Sequence, residues 1–132
     1  MEEENNNFKM WVDEDKIVHL KMEEVVVNIQ ILEDAFKKYK EITKDFSAKP
    51  KILIDISIVK YGMPSSFRKK AATDLKDLFY GVGFEKIAMW GGNTLVRVMT
   101  LFFITAFKAI SKLSNIQYFR TEEEALKWLK ED

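Results

Sequence analysis

Short apolar runs typical of β-strands alternate with longer stretches of helical periodicity along the 132 residues, and this alternation restricts the folds open to the chain. Two extended segments, 8–12 and 17–22, come first. The acidic turn 13–15 between them indicates a β-hairpin. In the second segment Val18, Leu20 and Met22 share one face of the predicted strand.

Helix and strand patterns follow one another after the hairpin. In order they are a helix at about 24–46, a strand at 51–57, a helix from Ser65 or Ser66, a strand at 84–90, a helix at 94–113, a strand at 116–119 and a closing helix whose first turn carries the capping box of Thr121 and Glu124. Strands separated by helices pair in parallel through right-handed crossovers. We therefore predict a single α/β domain over residues 1–132, in the order β-β-α-β-α-β-α-β-α. Its mixed sheet has a parallel centre, an N-terminal hairpin and four helices.

Composition argues against several classes of function. Lys plus Arg and Asp plus Glu number 21 each, so the chain lacks the basic excess expected of a nucleic-acid-binding protein. It has no cysteine, which excludes disulfides and thiol chemistry. A metal site would have to be built from carboxylates and a single histidine, His19. We expect neither a metal nor a cofactor.

No segment reads as a membrane span or a signal peptide. The longest uncharged run of the apolar helix, Val98 to Phe107, has ten residues, whereas a spanning helix needs ~20. Residues 1–7 are acidic and polar, without the basic and apolar regions of a signal peptide. We expect them to form a flexible tail on a cytoplasmic protein.

Helix 94–113 is apolar around nearly its whole circumference, which an ordinary amphipathic surface helix is not. Something must cover its second face. We favour a homodimer interface, with simple burial within the fold and a bound apolar ligand as alternatives. The candidate residues for a dimer or apolar-ligand surface are Met99, Phe102, Phe103, Phe107 and Ile110.

Ser65 and Ser66 stand at the start of a predicted helix whose first turns are basic. A phosphate or another anion there would meet free backbone N–H groups, the positive end of the helix and nearby cations. The two serines are therefore a candidate phosphorylation or anion site. The simpler interpretation is that one of them caps the helix.

No catalytic constellation is visible. Asp55 ends a strand but has no nucleophile or metal partner, and His19 has no obvious partner in the sequence. The loop Gly91-Gly92-Asn93-Thr94 leads from a strand into a helix, yet lacks the spacing of known phosphate-binding loops. A tight turn with an Asn or Thr cap explains it. We expect no enzymatic activity.

Three features, in their order along the chain, resemble the small bacterial family described as SpoIIAA-like, which has a STAS-like domain. They are the strand Ile52-Leu53-Ile54-Asp55 followed by a loop and a helix, the strand Lys86-Ile87-Ala88-Met89-Trp90 leading through glycines into an apolar helix, and the ending from Tyr118 to Leu129 with its acidic run, alanine, tryptophan and leucine. The resemblance runs from about Phe8 to the C-terminus.

The resemblance implies a fold similar to that of anti-sigma-factor antagonists, which bind protein partners and are switched by phosphorylation of a serine. It also implies a likeness to lipid-carrier domains. The loop Tyr61-Gly62-Met63-Pro64-Ser65-Ser66 differs from the Asp-Ser-x-Gly loop of the antagonists, which argues against the same switch. We expect a non-enzymatic binding or regulatory module that acts through a protein partner or as a homodimer. The alternative is a carrier of a small apolar or lipid-like ligand held between helix 94–113 and its neighbours.

Overall fold

The computed structural model describes residues 7–61, 73, 83–111 and 115–131. Within them lie five strands and three helices: β1 (Phe8–Val12), β2 (Ile17–Met22), α1 (Ile29–Thr43), β3 (Lys51–Asp55), β4 (Lys86–Trp90), α2 (Thr94–Ser111), β5 (Ile116–Phe119) and α3 (Glu122–Lys130). The further helix predicted from Ser65 or Ser66 falls on residues outside the described ranges.

The strands form one sheet in the order β1-β2-β3-β4-β5. β1 runs antiparallel to β2, with Trp11 opposite His19. The other neighbours are parallel, and Asp55 at the end of β3 lies opposite Trp90 at the end of β4. The predicted mixed sheet with a parallel centre and an N-terminal hairpin is confirmed.

The front face of the sheet carries α1 on the side of β1 and α2 on the side of β5. Alternate strand residues point toward these helices, as the period of a pleated strand requires. On β2 they are Val18, Leu20 and Met22, all buried in the front core with Phe36 and Phe107 of the helices. The prediction that these three β2 residues share a face is confirmed.

The back face is covered by α3, which packs against β3, β4 and β5. Ala125 and Leu129 of this helix are fully buried against Leu53 and Ala88 of the sheet. Thr121 caps the helix as predicted, since its side chain accepts a hydrogen bond from the backbone N–H of Glu124. At the opposite side of the same face, Trp11 of β1 remains 43% exposed.

The predicted start of α1 near Glu24 is wrong. The helix begins at Ile29, because Asn28 has an extended backbone and its side chain accepts a hydrogen bond from the N–H of Ile31. The preceding apolar residues belong to a loop instead, where the carbonyl of Val25 accepts hydrogen bonds from the N–H groups of Lys60 and Tyr61.

Candidate functional site: the two faces of α2

A tight turn places α2 on the sheet. Gly91 and Gly92 both have positive φ, and a Cβ on Gly91 would lie 2.7 Å from the Cα of Ser57. Asn93 then caps the helix by accepting a hydrogen bond from the N–H of Val96, and its amide donates to the carbonyl of Lys60. The glycines therefore serve close packing of two loops, and Asn93 serves as the cap, in agreement with the simpler interpretation of this segment.

The inner face of α2 belongs to the core. Val96, Phe103, Ile104 and Phe107 are buried. The ring of Phe107 lies 6.2 Å from that of Phe103 and packs in addition against Phe84. This face is thus held by ring–ring contacts as well as by burial of apolar surface.

A cavity of about 90 Å³ lies between α1, α2 and the middle strands. Helix α2 contributes Val96, Met99, Thr100, Phe103 and Phe107 to its wall. The hydroxyl of Thr100 already donates a hydrogen bond to the carbonyl of Val96, so it offers the cavity little polarity. Tyr61 lines the cavity and is itself 59% exposed. Its chemistry suits an apolar occupant.

The outer face of α2 is apolar and exposed. Leu95, Val98, Leu101 and Phe102 are between 41% and 62% exposed, with Phe102 the most exposed of the four. Their spacing places them together on the first two turns of the helix. We call these four residues the outer patch. A contiguous apolar patch on a helix surface is typical of a site of protein interaction.

The predicted site residues fall on different parts of the molecule. Phe102 lies in the outer patch, whereas Phe103 and Phe107 face the core and the cavity. Met99 is partly buried and lines the cavity. Ile110 lies in α2, but its side chain is outside the described part of the chain, as are Ser65 and Ser66.

Sequence reasoning missed three members of the outer patch, Leu95, Val98 and Leu101. The signal was present, because residues 95, 98 and 102 follow the steps of three and four residues that define one side of a helix. When a helix is apolar around its whole circumference, its sequence does not show which side packs against the sheet. The partner of His19 was also missed: it is Asp13, at 2.7 Å.

Two tyrosines of the core have raised pKa values. Burial raises the pKa of Tyr39 far above its usual value, and its hydroxyl donates a hydrogen bond to the carbonyl of Gly83. Burial also raises the pKa of Tyr118, against the opposing effect of Arg97 and Arg120. Both side chains are therefore neutral and structural at physiological pH.

Among the residues that the structure describes, no group of three His, Asp or Glu side chains could hold a metal ion. None of the described helices is long and apolar enough to cross a membrane.

Within the described residues, a five-stranded mixed sheet carries two helices on one face and one on the other, which defines an α/β fold. The family model described as SpoIIAA-like matches the chain over residues 14–130, so the chain belongs to the SpoIIAA-like family. Domains of this family typically serve as regulatory or binding modules and are generally non-enzymatic. No curated protein and no solved structure matches the chain.

Proposed function

We propose that this domain is a non-enzymatic binding module that docks a protein on the outer patch of α2, and that a second copy of the chain is its simplest partner. The observation that carries the proposal is the exposure of Leu95, Val98, Leu101 and Phe102 on one side of one helix. Covering that side removes apolar surface from water, at about 25 cal/mol for each Å².

The patch is small, which limits the strength of the complex. A stable interface buries roughly 800 Å² on each partner, more than four half-exposed side chains provide. Residues that flank the outer patch must therefore contribute to the buried area. We expect a dimer whose population depends on protein concentration. In a symmetric dimer the same patch is used by both copies.

Light scattering coupled to size-exclusion chromatography tests the proposal at several protein concentrations. The variant Leu101→Ser/Phe102→Ser should be monomeric at every concentration and should unfold at nearly the same urea concentration as the parent protein. Val26→Ser/Ile58→Ser is the matched control, because Val26 and Ile58 are also exposed apolar residues but lie outside α2. A dimer that survives in the α2 variant would contradict the proposed surface. If the parent protein is monomeric at every concentration, the homodimer is rejected, and the expected partner of the outer patch is a different protein.

The apolar cavity favours a second function, the carriage of a small apolar ligand. At about 90 Å³ it is smaller than the ~150 Å³ engineered cavity that accepts benzene. A lipid-like ligand would therefore require the two front helices to move apart. Met22, Met89 and Met99 line the cavity, and their flexible side chains suit such an adjustment.

Native mass spectrometry of freshly purified protein tests the carrier function. A ligand should appear as excess mass of a few hundred daltons, and filling the cavity with Met89→Phe should abolish it. If only the mass of the polypeptide is found under several mild extraction conditions, the carrier function is contradicted. That result has no bearing on the proposed protein binding.

A further inference from the structure

We propose that a pocket on the back face of the sheet binds an organic cation, an alkylammonium or guanidinium group. The pocket lies beyond the edge of α3, where β1 and β2 are not covered by that helix, and has a volume of about 160 Å³. It is separate from the front cavity and from the outer patch.

Aromatic rings form the walls of this pocket. Trp11 and His19 stack with their ring centroids 4.9 Å apart and their planes 10° from parallel, and Trp90 lines the opposite side. Of these three rings, the two indoles are the ones whose faces attract cations. Asp13 holds the imidazole of His19 in place by a 2.7 Å contact to Nε2, so the wall is fixed before a ligand arrives.

Two carboxylates complete the pocket. Asp55 lies at the end of β3, and Glu122 is the first residue of α3. Oδ1 of Asp55 accepts hydrogen bonds from the N–H and hydroxyl of Ser57. Among the described residues, Oδ2 of Asp55 and the carboxylate of Glu122 have no hydrogen-bond or ion-pair partner. They can accept hydrogen bonds from a ligand's N–H groups.

The balance of charge favours a cation over an anion. Lys21 lines the pocket against the two carboxylates, and the imidazole of His19 in the wall is paired with the carboxylate of Asp13. The positive end of α3 is nearby, but three glutamates in its first turn oppose it. Lys21 makes no ion pair with any described residue, so it can swing away on its flexible stem.

Trp90, which lines the pocket, has an indole N–H group without a partner among the described residues. Its Nε1 is buried and has no hydrogen-bond partner in the part of the chain that the structure describes. Buried indole N–H groups usually have a partner.

Titration followed by NMR of the three indole N–H signals tests the proposal on the intact chain. The probes are methylguanidinium chloride, tetramethylammonium chloride and the blocked amino acids N-acetyl-lysine methylamide and N-acetyl-arginine methylamide, with sodium chloride as the control for ionic strength. We expect saturable shifts of the Trp11 and Trp90 signals, while that of Trp128, which lies outside the pocket, stays constant. Tighter binding of the blocked amino acids would identify a protein side chain as the source of the cation, and tighter binding of the simple cations would identify a free amine.

Substitutions of the charged residues in the pocket test the proposal more directly than titration of the parent protein. Asp55→Asn retains the acceptor for Ser57, and with Glu122→Gln it should weaken binding about threefold for each change. Lys21→Met removes a like charge and should tighten binding by a similar factor. Weaker binding of these cations in Lys21→Met would contradict the balance of charge on which the proposal rests, and this would overturn it. So would indole signals that no probe shifts, or an affinity that none of these charges alters.

Discussion

His19 and Asp13 face each other beside the turn of the β1–β2 hairpin, with Nε2 of the imidazole 2.7 Å from Oδ2 of the carboxylate. The other carboxylate oxygen accepts hydrogen bonds from the N–H groups of Asp15 and Ile17. Burial would raise the pKa of Asp13, but the hydrogen bonds from His19 and from those two N–H groups outweigh it and lower the pKa. One carboxylate thus closes the turn and positions the ring on which Trp11 stacks.

Replacing Asp13 by Asn should destabilise the domain in a pH-dependent way. The folded-state pKa of Asp13 lies below its unfolded value, so its contribution is fully present above the unfolded pKa of about 4 and disappears as the pH falls through the folded pKa. At neutral pH we expect a loss of about 1.5–3 kcal/mol in the free energy of unfolding, as for hydrogen bonds to a charged group. Urea unfolding at a series of pH values measures it.

Glu14→Gln is the control for this experiment, because Glu14 occupies the same turn but is exposed. Its effect should be within about 0.5 kcal/mol at every pH. A difference between Asp13→Asn and the parent protein that stays constant down to strong acid would contradict the role assigned to the ionised carboxylate.

Phe107 and Phe102, both in α2, should differ widely in the stability that is lost when each is truncated to alanine. Phe107 is fully buried, so Phe107→Ala should cost about 3–5 kcal/mol of stability, a large part of the roughly 5–15 kcal/mol typical of a domain. Phe102 is 62% exposed, and Phe102→Ala should change stability by no more than about 0.5 kcal/mol in the monomer. Urea unfolding at low protein concentration compares them. Equal losses would mean that α2 presents a different side to the sheet.

The sequence predicts correctly those helices and strands whose bounds are set by their own pattern of apolar and polar residues. The hairpin strands 8–12 and 17–22 are correct because alternating residues on both sides of an acidic turn leave one register that buries the apolar face. The predicted start of α1 is wrong because the valines at 25–27 continue the apolar pattern on the N-terminal side of Asn28. The helix begins after the Asn28 cap, and the carbonyl of Val25 accepts tertiary hydrogen bonds from Lys60 and Tyr61 instead.

The candidate sites depend on contacts that no local pattern contains. Phe102 and Phe103 are adjacent in sequence and equally apolar, yet one is exposed and the other buried, because the sheet contacts a single side of α2. The back-face pocket joins Trp11, Asp55, Trp90 and Glu122, which lie on four different elements. Only strand order and the position of α3 bring them together.

Any side chain at Gly91, the first glycine of the turn before α2, should destabilise the domain. In Gly91→Ala the new Cβ would lie 2.7 Å from the Cα of Ser57, in addition to the strain of a φ of +95°. Gly83→Ala is a matched control, because its φ is +80° but its Cβ would meet only the flexible side chain of Lys49 at 3.5 Å. Backbone strain alone costs about 1–3 kcal/mol, so Gly91→Ala should be the more destabilised in urea unfolding. Equal losses would show that the Ser57 loop yields without cost.

Lys86 should matter more to stability than the lysine directly opposite it on the neighbouring strand. Its ammonium group donates 2.8 Å hydrogen bonds to the carbonyls of Trp128 and Glu131 and lies 4.9 Å from the centre of the Trp128 ring. It therefore bonds two carbonyls at the C-terminus of α3, and that of Trp128 accepts a second hydrogen bond from the N–H of Glu131. Lys86→Met should lower the free energy of unfolding by about 1.5–3 kcal/mol.

Lys51→Met is the matched control for Lys86→Met, since the two lysines are paired in the sheet register and the contact of Lys51 with the described residues is a 3.7 Å ion pair with Glu85. Such a surface pair contributes about 0–1 kcal/mol. Hydrogen exchange supplies a second measurement, because amides of the last turn of α3 should lose protection in Lys86→Met and keep it in Lys51→Met. The same protection in both variants would mean that apolar packing holds the closing helix on the sheet without help from Lys86.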